Sequence, residues 1–181
     1  MLLTVVISLV TGFISALCAS MTFVYVMYSQ RPKLALSRHI AKTTFKGKTF
    51  YAIKVINVGR RDAFSVHAEL LLIQPHPVED GTGYNIIEIA LVRERVFYIR
   101  PVSKAGDKFG AVFEFLVVDD LEAEWEKFPK SYLLFRVTAQ DPLSLFSHVF
   151  TAEYHSPEKA IVVGRFAKGK SMKIGPLYDS A

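Results

Sequence analysis

The sequence opens with an apolar stretch at residues 2–28, LLTVVISLVTGFISALCASMTFVYVMY. A hydrocarbon core about 30 Å thick is spanned by roughly 20 helical residues, and this stretch is longer than that. A secretory signal peptide is the alternative interpretation, but such a peptide has a basic start and a shorter apolar core. Here the apolar residues continue from Met21 to Met27. We therefore predict an uncleaved transmembrane helix over residues 1–30.

Charge is distributed unevenly along the chain. The first acidic residue is Asp62, and nine lysines and arginines precede it. The other 13 of the 22 basic residues share the rest of the chain with all 17 acidic residues. Because cytoplasmic flanks of membrane helices are rich in Lys and Arg, we predict a single-pass protein of the cell membrane with its N-terminus outside and its C-terminal domain cytoplasmic. Anionic lipid is the predicted partner of these cations, and nucleic acid is not, because the cations crowd beside the bilayer.

Short β-rich runs separated by turn residues make up most of the remaining chain. The predicted strands are residues 51–56, 66–73, 86–92, 111–118, 132–139, 148–154 and 160–166. The Pro75-His76-Pro77 segment is among the predicted turns. This spacing predicts an all-β fold, an antiparallel sandwich of about seven or eight strands, over residues 31–168. Residues 169–181 are predicted to form a basic C-terminal tail.

One short helix is expected within the β-rich region. Asp119 and Asp120 can cap a segment in which Leu121, Trp125 and Phe128 recur at helical spacing. We interpret the glutamates of this segment as a solvated face, with an acidic docking patch as the alternative.

Small side chains recur every four residues along the predicted membrane helix. Ser8, Gly12, Ala16 and Ser20 continue a stripe that begins at Thr4. Helices in lipid associate through close backbone approach, which such stripes allow. The stripe predicts a homo-oligomer, although small residues are also common in membrane helices that do not associate.

Several short motifs resemble those of the inward-rectifier potassium channel family. They include a basic exit from the apolar helix and a Val-x-Asn strand motif. The matching stretches are residues 31–34 (RPKL), 45–48 (FKGK), 53–58 (IKVINV), 65–72 (SVHAELLL), 91–93 (LVR), 98–101 (YIRP) and 137–141 (VTAQD), with Tyr154, Ile161, Gly164 and Phe166.

The resemblance implies an immunoglobulin-like (E-set) β-sandwich that assembles as a tetramer beneath the membrane. It also implies that Arg31 and Lys33, at the helix exit, face anionic lipid, and we add the next cation, Arg38. The sequence begins at what would be the inner helix of such a channel, so it contains no outer helix, pore helix or selectivity filter. Gly59 stands where the family often has arginine. By itself the chain is not expected to form a potassium-selective pore.

Catalytic and metal-binding patterns are weak in this sequence. The five histidines lack the paired spacing of a zinc site, and no nucleophile elbow or phosphate-binding loop is found. Cys18 is the single cysteine and lies within the apolar stretch. We therefore expect no enzyme activity, no cofactor and no metal. The predicted function is that of a sensor or channel-like effector at the membrane, and the alternative is an accessory or scaffold subunit that binds protein partners without conduction.

Overall fold

The computed structural model describes residues 1–29, 31–105, 110–118 and 120–176. Four helices and twelve strands are described in this part of the chain. In chain order they are α1 (Leu2–Ser29), β1 (Leu34–Leu36), β2 (Ile40–Phe45), β3 (Lys48–Asn57), β4 (Ala63–Val78), β5 (Gly81–Ile89), β6 (Arg95–Ile99), α2 (Val102–Ala105), β7 (Val112–Val117), α3 (Leu121–Glu126), β8 (Tyr132–Gln140), β9 (Ser147–Tyr154), α4 (Pro157–Ala160), β10 (Ile161–Val163), β11 (Arg165–Phe166) and β12 (Ile174–Gly175).

Helix α1 covers the predicted apolar stretch and has no buried residue. The hydroxyls of Ser8, Thr11 and Thr22 donate to carbonyl oxygens one turn earlier, at 2.8–2.9 Å. Such bonds satisfy polar side chains without water. Among the described helices, α1 is long and apolar enough to cross a membrane, and a signal sequence near an N-terminus would have the same properties. Its orientation remains a prediction.

Two five-stranded sheets form the body of the molecule. The first has the order β1-β3-β2-β10, with β7 also paired to β3. The second has the order β5-β4-β8-β9, with β6 also paired to β4. Apolar residues of both sheets belong to one buried core, in which the rings of Phe115 and Phe135 are 5.6 Å apart. The predicted β-rich class is confirmed, and the immunoglobulin-like assignment remains a prediction.

One strand pair departs from the expected antiparallel arrangement. Strand β10 pairs with β2 in parallel, with Ile161 opposite Ile40 and Val163 opposite Lys42. The chain arrives at β10 from β9 in the other sheet, through α4, so it enters the first sheet without a hairpin from β2. A hairpin would have required the antiparallel direction.

The predicted turn at Pro75-His76-Pro77 is wrong, because these residues belong to β4. Pro75 lies opposite Tyr84 and Pro77 opposite Thr82 in the ladder with β5. The ladder between β4 and β8 ends at Ile73, so β4 has an open side from there onward. A proline whose nitrogen faces an open side removes no ladder hydrogen bond.

Helix α3 begins where the acidic cap was expected. The Asp120 carboxylate accepts a hydrogen bond of 3.3 Å from the Ala123 amide, and Leu121 and Trp125 are buried. Asp119 lies outside the described residues. Glu122 is not simply part of a solvated face, because its carboxylate forms an ion pair with Lys42 of β2. The helix is therefore joined to the first sheet by its apolar face and by an ion pair.

The C-terminal segment runs back over the outer face of the first sheet. Its Phe166 packs against Ala41 and Ala52, and β11 pairs with β12. The predicted tail, residues 169–181, therefore contributes a strand in its described part, which ends at residue 176. Gly164, just before this segment, has φ +144°, and a Cβ there would lie 2.2 Å from the Gly175 carbonyl oxygen. Glycine is required at this crossing.

Lys54 fastens this segment to the sheet. Its side chain is 1% exposed, and its ammonium donates to the carbonyl oxygens of Ala167 at 2.6 Å and Ser171 at 2.9 Å. Burial lowers the pKa of Lys54 below its usual range, and Glu114, which lies opposite on β7, partly offsets that effect. A buried cation is tolerated here because carbonyl oxygens replace water around it.

Replacement of Lys54 by methionine should loosen the C-terminal segment. Two carbonyl oxygens would lose a charged donor, so we expect the free energy of unfolding to fall by about 1–3 kcal/mol. Amide hydrogen exchange of residues 165–175 should become faster. The matched control is Lys48→Met, because Lys48 is exposed at the start of β3. Unchanged exchange of residues 165–175 in Lys54→Met would contradict this role.

Candidate functional site

The junction between α1 and the β-rich body is built around Arg31. Its guanidinium lies over the Tyr28 ring at 4.0 Å, and the Phe146 ring is 5.9 Å away. Its Nε is buried without a hydrogen-bond partner among the described residues. Stacking on aromatic rings holds a cation in place without neutralising its charge. Arg31 therefore keeps hydrogen-bonding capacity at the end of the apolar helix.

Lys33 is positioned by close contact with the end of β3. Its carbonyl oxygen accepts hydrogen bonds from the amides of Val58 at 2.8 Å and Gly59 at 3.2 Å. A Cβ at Gly59 would lie only 2.7 Å from the Lys33 nitrogen. The absence of a side chain at Gly59 is thus what lets these two segments meet. The arginine that the resemblance would place at Gly59 does not fit this geometry.

Asn57, the last residue of β3, fixes the loop that follows it. Its side-chain amide donates to the carbonyl oxygens of Arg61 at 2.7 Å and Ile99 at 2.8 Å. Its side-chain oxygen accepts from the Gly59 amide at 3.0 Å, and the residue is fully buried. The β3–β4 loop is therefore held against β6 and against the start of β1.

These contacts enclose a basic cleft beside the end of α1. The cleft has a volume of about 530 Å³, and no carboxylate is among its described lining residues. The lining consists of Ser29, Arg31, Lys33, Val58, Gly59, Arg60 and Arg61. Four cations that converge on one cavity create a positive potential that attracts anions. Phosphate and carboxylate groups are the matching ligands, since arginine binds both through paired N–H donors.

The structure brings together only part of the predicted lipid-facing set. Arg31 and Lys33 line the basic cleft. Arg38 is exposed and lines a different groove, between β1 and β9, together with Ser37 and Tyr154. Strand β1 runs away from the helix exit, which carries Arg38 away from the cleft. Its assignment to lipid remains a prediction.

The sequence pattern alone does not identify Arg60 and Arg61 as residues of the cleft. They are 27 and 28 positions from Lys33 in the chain, and only the fold of the β3–β4 loop brings them to the cleft. A sequence signal was present, because adjacent arginines follow directly after the Val58-Gly59 turn. No residue pattern near these arginines in the sequence indicates that they lie beside the end of α1.

The predicted oligomerisation residues all lie on α1. Ser8, Gly12, Ala16 and Ser20 are exposed, and nothing lies within 4 Å of the position that a Cβ would take at Gly12. Their four-residue spacing places them along one side of the helix. The stripe is therefore available for contact, and self-association remains a prediction.

A second polar cluster joins α3 to the first sheet. The Tyr51 hydroxyl donates to Asp120 at 3.2 Å and lies 3.4 Å from a Glu122 oxygen that also pairs with Lys42. Burial and the neighbouring Glu122 carboxylate raise the pKa of Tyr51 to about 12. Tyr51 therefore stays a neutral donor at physiological pH, and the cluster ties two elements together.

Within the described ranges, no group of three or more His, Cys, Asp or Glu side chains is arranged to hold a metal ion.

Comparison with known proteins does not assign a family. No family model matches the chain, and no curated protein matches it. Among solved structures, the chain is similar to Spo0M, a sporulation control protein from Bacillus subtilis, with 14% identity and a TM-score of 0.36 over 70% of this chain and 48% of Spo0M. A structural-genomics target named SoR45 shows 15% identity and a TM-score of 0.26 over 68% of this chain and 80% of the target. The chain thus spans about half the length of Spo0M, and at these TM-scores neither similarity bears on its function.

Proposed function

We propose that this chain is a single-pass membrane protein whose cytoplasmic β-rich domain binds anionic lipid headgroups in the basic cleft. The observation that carries this proposal is the position of the cleft at the end of α1, the helix that is apolar enough to cross a membrane. A cation cleft at a helix exit lies at the depth of lipid headgroups when the helix spans the bilayer. Lipid can then reach the cleft directly from the membrane.

The remaining elements of the proposal follow from the sequence motifs. We place the domain with the immunoglobulin-like (E-set) sandwiches of the inward-rectifier potassium channel family, and two β-sheets around a single core support that placement. The proposed role is that of a sensor or channel-like effector, in which headgroup binding at the cleft changes the arrangement of associated membrane helices. The alternative role is that of a scaffold subunit without conduction.

Removal of two cleft cations should weaken binding of an anionic lipid. We expect Lys33→Gln/Arg60→Gln to raise the dissociation constant for dihexanoyl-phosphatidylserine about 30-fold, because each cation contributes about 1 kcal/mol. The measurement is a titration of the full chain in mild non-ionic detergent, with dihexanoyl-phosphatidylcholine as the neutral lipid. Binding should also weaken as salt is added.

The control for that titration is Lys46→Gln/Lys48→Gln. It removes the same charge from exposed positions at the β2–β3 turn, far from α1. An equal loss of affinity in both double variants would show that net charge, and not the cleft, determines binding. Equal affinity of the unaltered chain for the two lipids would refute the proposed function.

Self-association through the small-residue stripe can be tested on α1 itself. Gly12→Leu should reduce the oligomer to monomer, because a large side chain prevents close approach of helix backbones. The measurement is light scattering coupled to size-exclusion chromatography in mild detergent. Val10→Leu is the control, since Val10 faces almost the opposite side of the helix. An oligomer of unchanged size in Gly12→Leu would show that the small-residue stripe does not mediate self-association.

A further inference from the structure

The loop between β8 and β9 presents large apolar side chains to solvent. Its sequence from residue 141 to residue 146 is DPLSLF. Leu143 is 63% exposed, Leu145 is 64% exposed and Phe146 is 55% exposed. Three such side chains within four residues form a concentrated apolar tip. Clustered apolar groups at a protein surface commonly mark a contact with a membrane or another protein.

The loop is held in shape by its own hydrogen bonds. The carboxylate of Asp141, a residue that is 2% exposed, accepts from the Leu143 amide at 3.0 Å and from the Ser144 amide at 2.7 Å. The Asp141 carbonyl oxygen accepts a hydrogen bond from the Leu145 amide, and the Asp141 amide donates to the Phe146 carbonyl oxygen. These backbone groups therefore have partners that do not depend on water. Internal pairing of this kind is what a chain segment needs when it enters a lipid environment.

The loop lies at the same end of the molecule as the helix exit. The Phe146 ring is 5.9 Å from the Arg31 guanidinium, which in turn stacks on Tyr28 of α1. Val58, which lines the basic cleft, is also 58% exposed. Apolar side chains thus project beside a cluster of cations. This combination is typical of surfaces that lie in the membrane interface, with apolar groups in the acyl boundary and cations at the headgroups.

We propose that the β8–β9 loop inserts Leu143, Leu145 and Phe146 into the interfacial layer of the same bilayer that holds α1. The inference rests on the proposed membrane anchoring. A lipid surface is the occupant that fits, because the loop adjoins the membrane helix and is flanked by cations. Insertion gives the domain a second attachment point, and two points fix the tilt of the domain so that the basic cleft faces the headgroups.

The depth of a spin label in liposomes tests this insertion. The full chain with Cys18→Ser and Leu145→Cys carries a nitroxide at the loop and is reconstituted in phosphatidylcholine–phosphatidylserine vesicles. We expect the label to be relaxed more by oxygen, which concentrates in lipid, than by a water-soluble nickel complex. Leu143→Cys in the same background is a second position, in case the first substitution disturbs the loop.

Two further label positions make the result unambiguous. Val78→Cys in the Cys18→Ser background is the matched control. Val78 is 50% exposed at the other end of β4, roughly 50 Å along the strand from Ala63. Its label should remain in water. The native Cys18, labelled in the unaltered chain, reports on α1 itself and should lie in the hydrocarbon.

The outcomes separate the two proposals. Labels at residues 143 and 145 that are as accessible to nickel as the label at residue 78, with the label at residue 18 in lipid, would overturn loop insertion and leave anchoring intact. A label at residue 18 that is accessible to nickel would overturn the anchoring as well.

Discussion

The buried side-chain amide of Asn57 is the interaction on which the helix-proximal end of the molecule depends. Its nitrogen donates to the carbonyl oxygens of Arg61 and Ile99, and its oxygen accepts a hydrogen bond from the Gly59 amide. These bonds join the end of β3, the β3–β4 loop and β6. A buried amide with all these partners is a rigid element, since any movement would leave a polar group unpaired. The basic cleft keeps its shape because this amide fixes one of its walls.

The cations of the cleft and the apolar β8–β9 loop lie close to one another at this end of the molecule. Arg31 and Lys33 approach the cleft from the helix side, and the arginines of the β3–β4 loop approach it from the β-sheets. No carboxylate is among the described residues that line the cleft, which leaves the cleft basic. In the proposed orientation, the transmembrane helix, the cation cleft and the apolar β8–β9 loop all meet the same bilayer surface. Their contributions to membrane attachment would then reinforce one another.

Features that depend on local pattern could be predicted from the sequence. The apolar run predicts α1, and the short β-rich runs between turn residues predict most strands. Asp120 predicts the start of α3. Features that depend on tertiary contact could not be predicted. Lys54 lies between the apolar residues Ile53 and Val55 of β3, which is typical of a lysine that faces solvent. It is buried only because the C-terminal segment covers it. The prolines of β4 predict a turn locally, because the open side of that strand cannot be recognised from the nearby sequence. The cleft likewise depends on contacts between distant parts of the chain, such as that between Lys33 and Val58, which are 25 positions apart.

Lipid binding at the cleft and insertion of the β8–β9 loop both require that α1 remains in the membrane as part of the mature protein. Intact-mass spectrometry of the protein recovered from carbonate-washed cell membranes tests it most directly. We expect a species that retains residues 2–28 and stays in the membrane pellet. A shortened species that lacks this segment and is found in the soluble fraction would contradict membrane anchoring by α1.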